Sequence, residues 1–487
     1  MLDRLIRTTL SGATLLSVSA LLVAPVASQG SSQSGAVQGR FRTVTPRANI
    51  PYCNTTGSPV NCAGKPFKPI PLFSLDGQIA VATSMALGIP GDEYVLSVID
   101  LQYQCTAQLG WQSNVPQAWE PLMYHNSGGG TSAWSRANLG SIFGLTLNPD
   151  GDIYVTATAC YDTDFFPTVH GPGTGGEVYF IESTSSTISL FAALPNTGAG
   201  LGNITWDCKN DQVFISNMED GLIYRIPDHG QFWGIPFDHG VDGRTNYGSL
   251  TEIADDGTPG FTQLGRRIWG LKVLYTQDDQ DPGPNYRLYY GVWNEDNSAR
   301  SATESNEVWS VQLDPVTGHF VPHTATLEIS VPAMLGSPPY SNPVSDLSFK
   351  PNGNIMVAER SIGSGGPSDS GAHQSRLLEY RCGISGWERE MINGADKNGI
   401  NATTGQPSCA GGVDVDYGPY PDVCDARTWT SGDALHFPGP YVYGLAGIPS
   451  AGGKTDDFST PCIFIDLNAD YSYGNKWVLG DVEIPSP

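Results

Sequence analysis

The residues best placed to do chemistry are oxygen donors at matched points of a repeating hairpin. When the hairpins are aligned, Ala157, Asn217 and Glu359 fall just after the second strand of their units. Gly144, Gly270, Asp346 and Gly444 fall at the start of the first strand. Asp346 is the departure, a carboxylate where its counterparts are glycine. Together with Glu359 and Asn217 it offers the oxygen ligands that a hard cation requires, so this trio is the expected metal set and Ca2+ the expected ion. A structural expectation competes with it. Asp346 can accept hydrogen bonds from strand-start amides, and Glu359 can pair with Arg360 or Arg376.

Two further acidic groups have calcium-like spacing. Asp278, Asp279 and Asp281 occupy a Pro/Gly-rich turn, and Asp466, Asn468 and Asp470 form a D-x-N-x-D run. The run has Tyr471 where an EF-hand loop needs glycine and Trp477 where it needs an acid, so it is not such a loop. Nucleophilic motifs are missing: there is no G-x-S-x-G elbow, H-E-x-x-H helix, P-loop or dinucleotide fingerprint. Histidines such as His125, His170, His229, His239, His373 and His436 are scattered through expected loops. The sequence therefore leaves open whether the chain is an enzyme. Trp111, Trp119 and Trp233, in two long loops, are the expected ligand-binding aromatics, since exposed rings stack on sugars or anchor a protein partner.

The elements that must hold these residues are strands. Phe143 to Val155 reads FGLTLNPDGDIYV: two runs of β-formers joined by an Asn-Pro-Asp-Gly turn. Val178 to Phe180 adds a third strand. Related units recur at Leu75–Thr83, Asn203–Ile226, Ile268–Leu313 and Val344–Arg381, and a weaker one begins at Tyr441. A period of about 60 to 100 residues with three or four strands per unit implies four-stranded blades around an axis, because a closed circle protects most sheet edges. The expected fold is all-β, a six-bladed propeller with long inter-strand loops. The final strand, Trp477–Ile484, is expected to pair with the first blade and close the ring. Gln108–Asn138, Asp228–Gly265, Ser361–His373 and Trp387–Pro438 are the expected long loops.

The recurrent G-L-x-L-x-P-D-G-x-I-Y-V pattern, present at Gly144–Val155 and echoed at Asp346–Val357, resembles that of the NHL-repeat and gluconolactonase-like propellers. The resemblance covers most of the chain from about Leu72, and the motif specifies hairpins. It implies a divalent cation held in the axial channel by Glu, Asn and Asp side chains from different blades, which here would be Glu359, Asn217 and Asp346. Two functions follow as expectations: a ligand-binding or surface-interaction module stabilised by calcium, or a metal-dependent hydrolase of the lactonase type acting at the central channel.

The amino terminus sets the expected compartment. Arg4 and Arg7 precede an apolar run from Thr14 to Val23, then Pro25 and small residues, which reads as a secretory signal over residues 1–28. Residues 29–49 are a Ser/Gly/Gln-rich leader, and residues 50–487 are expected to form the single propeller domain. The chain is thus expected to be secreted, extracellular or periplasmic, with no transmembrane span and with a glycan or protein partner on an extracellular surface. Its 49 acidic and 25 basic residues give a net charge of -24, which disfavours nucleic acid. Nine cysteines suit an oxidising compartment, with bridges expected between Cys53 and Cys62 and within the group Cys382, Cys409 and Cys424.

Overall fold

The computed structural model describes residues 79–85, 94–101, 118–119, 122–161, 165–228, 234–240, 260–276, 285–300, 305–334, 339–367, 374–392, 394–399, 407–416, 427–433, 435, 442–454, 463–467 and 479–485. All of them belong to the compact unit that runs from Ala48 to Pro487. Six antiparallel sheets make the six blades of a propeller. Their inner strands, in ring order, are Leu479–Glu483 in blade 1, Ile142–Leu147 in blade 2, Leu201–Asp207 in blade 3, Arg267–Thr276 in blade 4, Val344–Phe349 in blade 5 and Cys409–Val415 in blade 6. Each inner strand packs against the next, and blade 6 packs against blade 1, so the ring is closed.

Local sequence explains the blades. In blade 2 the Asn148-Pro149-Asp150-Gly151 turn places Gly151 at φ 84, a left-handed conformation that costs glycine little. Asn148 Oδ1 caps the turn by accepting from the Asp152 amide at 2.9 Å. The β-branched and aromatic run Ile153–Ala157 then pairs back onto Ile142–Leu147. Lys350-Pro351-Asn352-Gly353 repeats the device in blade 5, with the Gly353 amide donating to Lys350 O at 2.8 Å.

Closure follows the expectation. The carboxy-terminal strand Leu479–Glu483 is the inner strand of blade 1 and pairs with Ile79–Ser84. A second tie crosses the same seam: Ala118–Trp119, from the segment following the third strand of blade 1, lies parallel to Ile463–Asp466 at the outer edge of blade 6.

Blade 6 departs from the sequence reading. Its inner two strands, Cys409–Val415 and Arg427–Gly432, lie inside the stretch Trp387–Pro438 that reads as one long loop. Gly444 opens the third strand, not the first. These strands read CAGGVDV and RTWTSG, too small and polar to announce themselves. The structure needs them small, because a Cβ on Gly412 would lie 2.6 Å from Asp481 Cα in blade 1.

Apolar cores fill the wedges between neighbouring blades. Tyr154 and Val178 of blade 2 pack with Ile204, Val213 and Tyr224 of blade 3. Leu274 and Tyr289 of blade 4 pack with Leu347, Phe349 and Val357 of blade 5.

Candidate functional site: the propeller axis

Every inner strand slips register against the second strand of its blade near the same point. The slip is a β-bulge, which bends a strand and re-aims a side chain. It ends at Leu145, Ile204, Leu271, Val413 and Val482 in five blades and at Asp346 in blade 5, where Leu347 pairs with Val357 as Leu145 pairs with Val155. The residues just before Leu145, Ile204, Leu271, Leu347, Val413 and Val482 therefore share one level of the ring. Those residues are Gly144, Asn203, Gly270, Asp346, Gly412 and Asp481. Glycine alternates with Asn or Asp from blade to blade. The glycines make room: a Cβ on Gly144 would lie 2.7 Å from Asn203 Cα, and one on Gly270 would lie 2.8 Å from the Asp346 amide nitrogen.

The three polar members bind one another and the neighbouring backbone. Asn203 Nδ2 donates to Asp346 Oδ1 at 2.8 Å. Asp346 Oδ1 also accepts from the Leu347 amide at 2.7 Å, and Oδ2 from the Val413 amide of blade 6 at 2.7 Å. Asp481 repeats the geometry two blades round, accepting from Val482 N at 2.8 Å and from Leu145 N of blade 2 at 3.2 Å. The Asp346 and Asp481 carboxyls lie within hydrogen-bonding reach of each other. Burial, eased by Asp481 and Lys272, pushes the Asp346 carboxyl up to about 7. Burial and then the neighbouring Asp346 push Asp481 well above the carboxylate range.

Two residues further along each inner strand lies a second polar ring: Thr146, Thr205, Lys272, Ser348, Asp414 and Glu483. Lys272 Nζ sits 3.5 Å from Asp414 Oδ1 and 3.5 Å from Glu483 Oε2. Ser348 Oγ donates to Asp414 Oδ1 at 2.7 Å, and the Ile484 amide to Asp414 Oδ2 at 2.8 Å. Thr146 Oγ1 accepts from Trp206 N of blade 3 at 3.0 Å.

Hydroxyls on the second strands staple blade to blade. Ser216 Oγ accepts from Asn203 N at 3.0 Å and donates to Trp269 O of blade 4 at 2.6 Å. Thr83, Thr156 and Ser431 do the same for Phe143 O, Gly202 O and Gly480 O. Beside this polar core lies an apolar cluster that includes Met85, Phe143, Cys160, Met218, Trp269 and Ile362, all buried. Phe143 and Trp269 directly precede bulge glycines.

The expected metal ligands have separate partners. Asp346 is axial, where its alignment with Gly144 and Gly270 places it. Both Glu359 oxygens bond Arg376, at 2.6 Å each, and the Asn342 amide donates to Oε1. Asn217 Nδ2 donates to Pro195 O and Asp220 Oδ2, and its Oδ1 accepts from Asn196 Nδ2. Neither Glu359 nor Asn217 is among the partners of Asp346. Among the described residues no group of three or more His, Cys, Asp or Glu side chains is arranged to hold a metal ion. Asp466 accepts from the Tyr443 amide; Asn468 and Asp470, like Asp278, Asp279 and Asp281, lie outside the described residues. So do Trp111 and Trp233, while Trp119 pairs through its backbone with Ile465.

Sequence reading missed Asn203, Asp481, Lys272, Asp414 and Glu483. A usable signal exists: G-N-I-T, S-D-L-S and G-D-V-E share the order small, Asx, aliphatic, polar. Cys409 and Cys160 are buried free thiols, which takes Cys409 out of the expected bridge; Cys208 and Cys382 are disulfide-bonded. Burial pushes the Cys160 and Cys409 thiols up to about 12 and about 11, which makes poor nucleophiles of both. Of the described histidines, one is ill suited to acid–base work. His239 is fully buried against Tyr290 and driven down to about 3, and His125 stacks on Tyr94.

No protein-family model matches the chain, and no curated protein matches it. Solved structures do resemble it in fold. A putative 6-phosphogluconolactonase from Bacteroides uniformis has 9% identity and a TM-score of 0.41, over 84% of this chain and 99% of that chain. A chain of a nidogen/laminin complex has 10% identity and a TM-score of 0.38, over 84% and 98%. A gluconolactonase from Xanthomonas campestris has 11% identity and a TM-score of 0.34, over 72% and 92%. Likenesses this distant carry nothing about activity. The six-bladed assignment rests on the sheet order itself.

Proposed function

We propose that the chain is an exported, non-catalytic binding module, a closed propeller whose ring is a scaffold for ligand-binding loops. One observation carries this reading: the described axial side chains are engaged with one another and with backbone amides, beside a buried apolar cluster. A lactonase acting at the channel would need an accessible cation and a general base next to it. Asp346, the axial member of the expected set, already accepts from Asn203, Leu347 and Val413. The signal-like amino terminus supports export, the acidic charge argues against a nucleic-acid partner, and the loop aromatics suit a glycan or protein partner.

The test is to assay chelator-treated and calcium-loaded protein on a panel of lactones and esters while screening both forms on glycan and protein-partner arrays. Specific array binding without turnover supports the reading. Calcium-dependent turnover that disappears in Asp346→Asn overturns it in favour of the hydrolase. Calcium added to chelator-treated protein is expected to leave the melting temperature unchanged, and a large upward shift would show a cation bound to the folded ring.

A further inference from the structure

Blade 1 takes its inner strand from the far end of the chain, and that strand brings two carboxylates to an axis that already holds two. Asp481 and Glu483 arrive on Leu479–Glu483, beside Asp414 of the neighbouring blade 6 and within reach of Asp346 of blade 5. Blade 4 supplies Lys272, and blades 2 and 3 contribute only Thr146, Thr205 and Asn203. Thr83 and Ser431, on the second strands packed against the closing strand, are hydroxyls. The closing strand therefore seats its acids beside one ammonium shared with Asp414, and Glu483 is only 7% exposed.

We propose that the closing strand is a pH-sensitive latch: Glu483 seats at the axis by holding a proton, so the ring is fastened most tightly in acidic medium and loosens in alkaline medium. With Glu483 protonated, Lys272 and Asp414 balance and the strand seats without an unmatched charge. With Glu483 ionised, two largely buried carboxylates share one ammonium, and the excess charge has little water to solvate it. Burial raises Glu483 from its ordinary 4.5 to about 8; Lys272 opposes the rise, and Asp414 and Asp346 add to it. The sign follows from linkage. Between about 4.5 and about 8 the folded chain holds a proton that the unfolded chain has released, so stability falls as pH rises through that window and levels off above it. This is the reverse of a salt-bridged carboxylate.

The experiment compares native protein with Glu483→Gln, which keeps the shape and removes the titration. Native melting temperature is expected to fall steadily from pH 5 to pH 8, and the fall is expected to be shallower in Glu483→Gln. Hydrogen-exchange protection at the Val482 and Ile484 amides is expected to drop at least tenfold between pH 6 and pH 9 in the native chain, more than at blade-core amides such as Val213. If Glu483→Gln does not fold, calorimetry of the double variant Asp346→Asn, Asp481→Asn at pH 7.5 in buffers of different ionisation enthalpy still decides, because those two carboxyls are also raised by burial and would release protons of their own. At that pH His239 is neutral in both states, and unfolding of this variant must release protons from Glu483. Flat or rising native stability from pH 5 to 8, an unchanged slope in Glu483→Gln, or no proton release overturns the latch.

Discussion

The axis and the wedges between blades are built from opposite materials. In the wedges, Leu347, Phe349, Tyr289 and their neighbours meet as aliphatic and aromatic surface. A few ångströms inward on the same strands, Gly, Asx, Thr and Ser meet through hydrogen bonds that pass from one blade to the next. The contrast follows from circumference. Far from the axis the blades diverge and large side chains must fill the gap. Near it six strands converge, a Cβ is sometimes too much, and each bulge exposes amides that only a neighbouring polar group can satisfy. Stability in the wedges comes from buried area, whereas the axis contributes register and closure.

Mutations can break this contrast in order of size. Leu347→Ala, in a wedge, is expected to cost about 2–5 kcal/mol by leaving a cavity, read as a lower denaturation midpoint. Gly412→Ala, at the axis, is expected to cost about 1–3 kcal/mol by overpacking against Asp481. Limited proteolysis would sharpen the second case, because damage at Gly412 should free the closing strand before the rest of the ring. If Gly412→Ala is tolerated and Leu347→Ala is not, the axis is looser than its geometry implies.

Ser216→Ala removes a hydroxyl that serves the Asn203 amide and the Trp269 carbonyl. Each buried group left unpaired costs about 1–3 kcal/mol, and Ser216→Thr, which keeps the hydroxyl, is expected to recover most of the loss. At the far end of the scale, Arg381 pairs with Glu388 on the outer rim of blade 5, 59% and 42% exposed. Water and salt screen that pair, so Arg381→Ala is expected to leave the melting temperature within experimental error. A large loss there would mean that the rim, not the axis, holds the blade.

Much of the ring is legible in the sequence because a hairpin is local. The turns at Asn148–Gly151 and Lys350–Gly353 and the runs of β-formers after them mark the first two strands of blades 2 and 5. The same pattern at Leu75–Thr83 marks the second strand of blade 1, whose first strand lies some 400 residues away. Blade 6 is not legible in the sequence because its inner strands carry glycine and serine where other blades carry Leu and Ile. The candidate metal trio shared a hairpin position, but position does not report partners. Arg376 lies 17 residues from Glu359 in sequence and takes both of its oxygens.

The sequence by itself determined the strand class, the repeat, the closed circle and the placing of Asp346 at the start of an inner strand, because these depend on side-chain alternation and turn chemistry within a few residues. Only the tertiary structure decided that Asp346 meets Asn203 and Asp481, 143 residues and 135 residues away in the chain, and that Lys272 stands between Asp414 and Glu483. Those meetings depend on ring closure. Each blade contributes one residue per level, and no local pattern records which blades will face each other across the axis.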